Sequence, residues 1–400
     1  MYDQEKSLST RLIQTGEAEM AAKLASARSY PKVLPIYLSS VFSFEDVEAL
    51  EAVYADPEAG YIYSRMGNPS QEQAAKIIAA AEGEGCEALV SSSGMAAIII
   101  SFLSQVQAGD HLIASPVLYG GVYDYLKNEL PRFGVSIDFV DLNDPNLASY
   151  FKPNTKLVYT ETITNPLMQV YNLPAIADLC HTKGATLIVD NTFATAAICQ
   201  PLKLGADIVV YSATKYLCGH SDLTGGAIVA SPALMPKLRR LNTLYGTMLS
   251  SFDSWLLTRS MRTLELRVAK HCANALELAK FFCTAPQVAK VHYPGLENTA
   301  DYAIAQKLFH ADRFGGMLSI DFADMATADR FIALCDHITL APSLAGVATT
   351  LSYPKRTSHR AYSEEDLQTA GIAPGQIRIS AGLEEASDLL EEFSKVLSQL

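Results

Sequence analysis

The sequence predicts an α/β fold: a three-layer sandwich around a mostly parallel sheet, followed by a smaller C-terminal α+β unit. Three observations carry this. Between about residues 61 and 255, short runs rich in Val and Ile alternate with helical patterns, and strand–helix–strand alternation marks helices packed on both faces of a parallel sheet. The runs are apolar throughout rather than alternating, as strands covered on both faces are. With 400 residues, 49% of them apolar and 18% charged, the chain can build more than one core.

Residues 1–62 mix short helical stretches, Ala18–Ala27 among them, with Pro31, Pro35 and Pro57. Val33–Phe44 is extended and apolar. The whole segment reads as an arm that packs on something else. Residues 63–255 supply the sheet. Ala88–Val90, His111–Ala114, Lys156–Thr160, Thr186–Asp190, Asp207–Tyr211 and Gly226–Ala230 are its strands. Met95–Val106, Tyr123–Arg132 and Leu173–Lys183 are helices between them. Ser254–Phe282 is one long helical pattern without Gly or Pro, and it leads into a unit spanning 256–400. There Gly315–Phe322 and Gln376–Ser380 are strands, and Thr327–Cys335 and Glu385–Leu400 are helices.

Charge and composition exclude several functions. Lys and Arg number 31 against 43 Asp and Glu, a net charge of −12. The only dense basic cluster, Lys237-Leu238-Arg239-Arg240, is too short for a nucleic-acid surface. The richest apolar stretch, Met95–Leu103, is far below a membrane span. Met1–Lys6 shows no signal-peptide pattern, so a soluble, cytoplasmic protein is expected. The seven cysteines are scattered without a C-x-x-C pair, which argues against both a disulfide framework and a zinc site. No metal is expected.

Parallel sheets bind ligands at the carboxyl ends of their strands. One candidate strand is followed by Ser91-Ser92-Ser93-Gly94-Met95 and a helix start. Others end in Glu161-Thr-Ile-Thr-Asn165-Pro166, in Asp190-Asn191-Thr192, and in Ser212-Ala213-Thr214-Lys215. A helix N-terminus built from small residues suits a phosphate, and Ser212 and Thr214 add hydroxyl donors. A buried Asp can keep a pyridinium nitrogen protonated, and a strand-end Lys can form a Schiff base. Together these are what pyridoxal phosphate requires. A nicotinamide dehydrogenase fits poorly, because Gly83-Glu-Gly85-Cys-Glu-Ala lacks the third glycine and the preceding strand. Retained Lys215 and Asp190 argue against a catalytically inactive binding protein.

The motifs also resemble a known family. Tyr63-Ser-Arg65-Met-Gly-Asn-Pro69, Tyr119-Gly-Gly121, Glu161–Pro166, Val189–Phe193, Ser212–Asp222 and Arg378-Ile-Ser-Ala-Gly382-Leu-Glu are similar, in order, to those of the Cys/Met-metabolism pyridoxal-phosphate enzymes. The resemblance implies the aspartate-aminotransferase-like fold, called fold type I, and a homotetramer built as a dimer of dimers with shared sites. It implies that Lys215 carries the cofactor and moves protons, and that Asp190 pairs the ring nitrogen with Thr192 beside it. Gly94, Met95, Ser212 and Thr214 would hold the phosphate. Tyr119 would stack on the ring and act as an acid. Asn165 would contact the ring hydroxyl side, and Arg378, with Ser343 nearby, would clamp the substrate carboxylate. Tyr63 and Arg65 would cross to the neighbouring subunit's phosphate, with Tyr63 also near substrate.

For substrate, the resemblance implies α,γ-elimination from an L-amino acid such as methionine or homocysteine, yielding a 2-oxo acid, ammonia and a thiol. The alternatives are a cystathionine γ-lyase, a cystathionine γ-synthase or an O-acetylhomoserine sulfhydrylase. Cystathionine enzymes of the family tend to carry Glu before a Ser-Leu-Gly-Gly stretch. This chain has Pro342 before Ser343-Leu344-Ala345-Gly346, and Pro cannot hold a distal ammonium. Methionine γ-lyases tend to carry Cys where this chain has Gly121. The segments at His271–Ala275 and Phe314–Met317 are closest to methionine γ-lyases.

Overall fold

A computed structural model describes residues 7–15, 31–56 and 59–400. The helix expected at Ala18–Ala27 lies outside the described residues, as does Pro57. Among the described residues, twelve strands form two sheets. The larger contains β1 (Glu87–Ser91), β2 (His111–Ala114), β3 (Ser136–Phe139), β4 (Thr155–Glu161), β5 (Thr186–Asp190), β6 (Ile208–Ser212) and β7 (Gly226–Ala230), in the order β1-β7-β6-β5-β4-β2-β3. Only β7 runs against the rest: it is antiparallel to both β1 and β6, and the other pairs are parallel. Strands β1 to β6 therefore all end on one edge. Apart from the edge strand β3, whose residues are all at least partly exposed, the strands are Val-, Ile- and Ala-rich and mostly buried, because helices such as Pro69–Glu82, Gly94–Gln105 and Leu173–Lys183 cover the two faces.

Registry aligns the edge. Ser91 of β1 and Ser212 of β6 both face Gly226 across β7, and Glu161 of β4 faces Asp190 of β5. Gly226 is required here: a Cβ would lie 2.1 Å from Ser93 O. Without that side chain the β1 exit crosses the start of β7 and brings Gly94 to Ser212.

The second sheet holds β8 (Lys290–His292), β9 (Met317–Asp321), β10 (Thr339–Leu340), β11 (Thr350–Ser352) and β12 (Gln376–Ser380), in the order β10-β11-β12-β9-β8. It is antiparallel except for the β10–β11 pair. The terminal helix Ala386–Leu397 turns Leu389, Phe393, Val396 and Leu397 inward.

One helical reading is corrected, and another gains detail. The pattern over Ser254–Phe282 is two helices, Ser251–Met261 and Leu264–Cys283. Thr258 and Ser254 return their hydroxyls to carbonyls one turn back, which weakens a helix locally. Buried Arg267 then takes the Ser260 carbonyl at 2.9 Å. The same guanidinium bonds Tyr216 O at 2.7 Å, so the break fastens the segment that follows Lys215. The helix expected over Tyr123–Arg132 is present as one unbroken helical run that changes its hydrogen-bonding pattern: α over Gly120–Asp124, π over Tyr125–Glu129 and 3₁₀ over Leu130–Phe133. Pro131 removes the N–H that a longer helix would use.

Candidate functional site

The strand exits supply the floor of the site. Ser93 caps the helix Gly94–Gln105, its hydroxyl accepting from Ala96 N at 3.0 Å. Gly94 lies so near Ser212 that a Cβ would stand 2.7 Å from Ser212 Cβ. The helix's free N–H groups and the Ser212 hydroxyl thus share one small space, with Met95 half-buried beside it. Ser212 N–H donates to Thr192 Oγ at 2.8 Å, and Thr192 N–H donates to Asp190 at 2.9 Å. Thr214 closes the next turn, its hydroxyl accepting from Gly225 N at 2.9 Å.

Burial pushes the Asp190 carboxyl above its ordinary range, against the bonds from Thr192 and Tyr159. A cationic ring nitrogen opposite Asp190 would reverse that shift and keep it ionised. Burial and the neighbouring Asp190 also raise Glu161, against two backbone N–H bonds and Arg378.

The C-terminal part supplies the opposite wall. Lys215 Nζ donates to Ser343 Oγ at 3.0 Å. Its amine is lowered to about 8, first by burial and then by the Arg378 charge. Arg378, on β12, is buried and donates from Nη1 to Asn165 Oδ1 at 2.6 Å. Its guanidinium lies 5.9 Å from the Phe193 ring centroid, and its Nε has no partner among the described residues. Burial lowers it to about 10, still cationic at any working pH. Asn165 precedes Pro166 across a cis peptide bond. Tyr119 presents a ring that is 42% exposed.

Gly94, Ser212, Thr192 and Asp190 form one chain of contacts; Lys215, bonded to Ser343, is tied to it through its N–H on Ser212 O, and Arg378, Asn165, Glu161 and Tyr119 form a second chain that meets the first where Glu161 pairs with Asp190. Tyr63 and Arg65 make none of these contacts. Arg65 stacks on the Tyr63 ring and donates to Thr243 O at 3.1 Å, and both side chains are exposed. Sequence reasoning gave no role to Glu161 or His359. Glu161 stands inside a quoted motif, but its two hydrogen bonds depend on how loops fold back. His359 touches Leu118 at a separation of 241 residues, and no local signal announces it.

A half-buried lysine, a buried carboxylate on the neighbouring strand, and a helix start lined with hydroxyls define a pyridoxal-phosphate-dependent enzyme of fold type I. The donor set fits that cofactor: N–H groups and hydroxyls for the phosphate, Asp190 for the ring nitrogen, Lys215 for the carbonyl carbon. The chain belongs to the Cys/Met metabolism PLP-dependent enzyme family, whose pattern it matches over residues 9–398. It is 38% identical over 375 residues to a protein named L-methionine gamma-lyase from Fusobacterium nucleatum subsp. polymorphum, covering 92% of this chain and 93% of the relative. It is 39% identical over 341 residues to a cystathionine beta-lyase from Lactococcus lactis subsp. cremoris, covering 85% and 89%. The crystal structure of cystathionine gamma-lyase from Lactobacillus plantarum complexed with L-serine superposes with a TM-score of 0.91 at 34% identity, covering 98% of this chain and 99% of that one. Among the described residues no helix is long and apolar enough to cross a membrane, and no acidic, His or Cys group could hold a metal ion.

Proposed function

We propose that this enzyme is a carbon–sulfur lyase that performs α,γ-elimination on an L-amino acid such as methionine or homocysteine. The products are a 2-oxo acid, ammonia and a thiol. One observation carries the reading: Lys215 Nζ bonds Ser343 Oγ at 3.0 Å, in the field of buried Arg378. A proton-carrying amine from the floor and a carboxylate-binding guanidinium from the wall meet here.

Gly94, Met95, Ser212 and Thr214 hold the cofactor phosphate, Asp190 and Thr192 the ring nitrogen, and Asn165 the ring hydroxyl side. When bound, pyridoxal phosphate supplies the electron sink for charge developing at the substrate's Cα. Arg378 takes the substrate carboxylate by its planar fork. Lys215, with an amine already lowered to about 8, removes the Cα proton and serves as the local base for the steps that follow. Tyr119, partly exposed over the site, gives a proton to the departing sulfur.

The similarity to L-methionine gamma-lyases supports γ-elimination. A second reading, cystathionine cleavage or thiol exchange, is favoured by Gly121, where a Cβ would meet the Tyr119 ring at 2.7 Å and no Cys side chain fits without moving it. Pro342, exposed ahead of Ser343, offers a distal ammonium no partner. A panel of L-methionine, L-homocysteine, L-cystathionine and O-acetyl-L-homoserine separates the readings. Release of 2-oxobutanoate and thiol without a thiol acceptor supports the lyase; product only with an acceptor present rejects it.

The homotetramer with shared sites belongs to the same reading. Residues 31–56 and 59–66 are tied to their own chain by backbone-directed bonds, among them Trp255 Nε1 to Leu34 O at 3.1 Å and Asn68 Nδ2 to Tyr37 O at 2.9 Å. They leave Leu38, Val41, Tyr63 and Met66 exposed, and Leu244, Tyr245 and Phe252 are exposed as well. Such apolar surface suits a partner subunit, and Tyr63 and Arg65 on it would reach the partner's cofactor phosphate. All seven cysteines are free, which suits a reducing cytoplasm.

A further inference from the structure

One peptide group in the site is gripped from both sides. The N–H of the Leu118–Tyr119 peptide donates to Glu161 Oε1 at 2.7 Å. The carbonyl of that same peptide accepts from His359 Nε2 at 2.9 Å. The same two side chains also hold Asn165. Its N–H donates to Glu161 Oε2 at 2.8 Å, and its carbonyl lies 3.2 Å from His359 Nε2. Glu161 ends β4, and His359 arrives on the loop after the turn Pro354–Arg356. Both side chains are buried.

The His359 tautomer follows from its partners. Two carbonyls face Nε2, so Nε2 carries the proton, and Nδ1 accepts from the Ser358 hydroxyl at 2.9 Å. Burial lowers the ring to about 4, so it stays neutral and this donor is permanent. The loop is seated flush on its target. A Cβ on residue 120 would lie 1.7 Å from Ser358 O, so only glycine fits after Tyr119. Tyr362 adds a hydroxyl 3.5 Å from Leu118 O.

Tyr119 needs such a hold. Its ring is 42% exposed, so its position is set mainly at its backbone. Asn165 in turn accepts from Arg378. We propose that Glu161 and His359 are a pair of positioning residues, a clamp that fixes the Tyr119 ring. The clamp affects turnover through Tyr119 only if Tyr119 acts as proposed above, and the test separates the two ideas.

The test is a double-mutant cycle on purified protein, read in two ways: kcat with L-methionine, and pyridoxal-phosphate affinity of the apoprotein by absorbance titration. His359→Leu removes the donor and should lower kcat about 10- to 100-fold, as misplacing a reacting group does. His359→Gln keeps an N–H of similar reach and should stay within about threefold of wild type. In a Tyr119→Ala background, His359→Leu should cost less than about threefold more in kcat and should not weaken the cofactor further, because coupled residues are non-additive. Equal losses in both backgrounds would make His359 merely structural and overturn the clamp. If Tyr119→Ala alone changes neither reading, the proposed role of Tyr119 falls and the clamp with it; if Tyr119→Ala lowers kcat but His359→Leu does not, the clamp falls alone. Should His359→Leu fail to fold, Glu161→Gln carries the same cycle from the other face of the peptide, since its amide cannot accept both N–H groups.

Discussion

The floor and the wall of this site were built by different means. The floor is made at strand ends: Gly94 just past β1, Asp190 as the last residue of β5 and Ser212 as the last residue of β6, with the strands aligned by the registry of one sheet. The wall is made by long-range return: Ser343 meets Lys215 across 128 residues, and Arg378 meets Asn165 across 213. On the function proposed, cofactor chemistry is written in local punctuation, whereas substrate recognition depends on where a second sheet docks.

If that division is correct, the largest effect comes from the floor. Lys215→Ala should abolish turnover, a loss of at least about 10³-fold, because it removes both the anchor and the proton carrier. The cofactor should still bind, non-covalently, through the residues around Gly94 and Ser212. Steady-state rates and an absorbance titration of the purified variant check both halves. Near wild-type turnover would end the proposed mechanism.

The next effect tests whether the arm belongs to either region. Lys215→Ala and Arg65→Ala are each expected to be inactive alone. In a mixed dimer with shared sites, one site carries both defects and the other carries none. Random mixing makes about half the dimers mixed, so about a quarter of all sites should recover. Activity after co-expression, with subunit exchange proven separately, is the readout. No recovery despite mixing would keep Arg65 in its own subunit's site or outside the site altogether.

A smaller effect links wall to floor through pH. The Lys215 amine, lowered to about 8, is neutral above that value. Capture of pyridoxal phosphate by the apoprotein should therefore speed up as pH rises through about 8 and then level off, whereas an ordinary lysine would keep accelerating toward about 10.4. Arg378→Ala removes the second cause of the shift and should move the midpoint upward. A midpoint that stays put would show burial alone sets it.

The smallest effect sits in the wall. Ala345 holds φ +66°, fully buried, with its N–H on Ser380 Oγ at 2.8 Å. A left-handed alanine is strained, and glycine relieves that strain at an entropic cost in the unfolded chain. Ala345→Gly should stabilise the apoprotein by about 0.5–1 kcal/mol, seen as a modest rise in Tm. A fall would mean that the alanine methyl is packed too well to lose.

The same contrast explains what could be read in advance. Thr186–Asp190, Gly226–Ala230 and Gln376–Ser380 fall where the apolar runs place them, because buried strands have a plain signature. Lys290–His292 and Thr350–Ser352 are only three residues each, too short for any periodicity. The helix break near Arg262 comes from hydroxyl back-bonding and from Arg267 reaching Tyr216 and Ser260, which no Gly or Pro marks. Asp190, Ser212 and Lys215 were legible because chemistry follows directly after a strand. Glu161 and His359 were not, because their partners are backbone groups, and backbone carries no residue-specific signal. The expectation for Tyr63 and Arg65 rests on family likeness alone, since in a single chain they touch nothing in the site.

The central claim is that the floor holds the cofactor and the wall holds the substrate. It is tested most directly by measuring, on one preparation of Arg378→Ala, both the pyridoxal-phosphate dissociation constant and KM for L-methionine. The account predicts cofactor affinity within about threefold of wild type and a KM raised by about 10²-fold, as removal of a bidentate carboxylate partner should do. Weakened cofactor binding with an unchanged KM would contradict it.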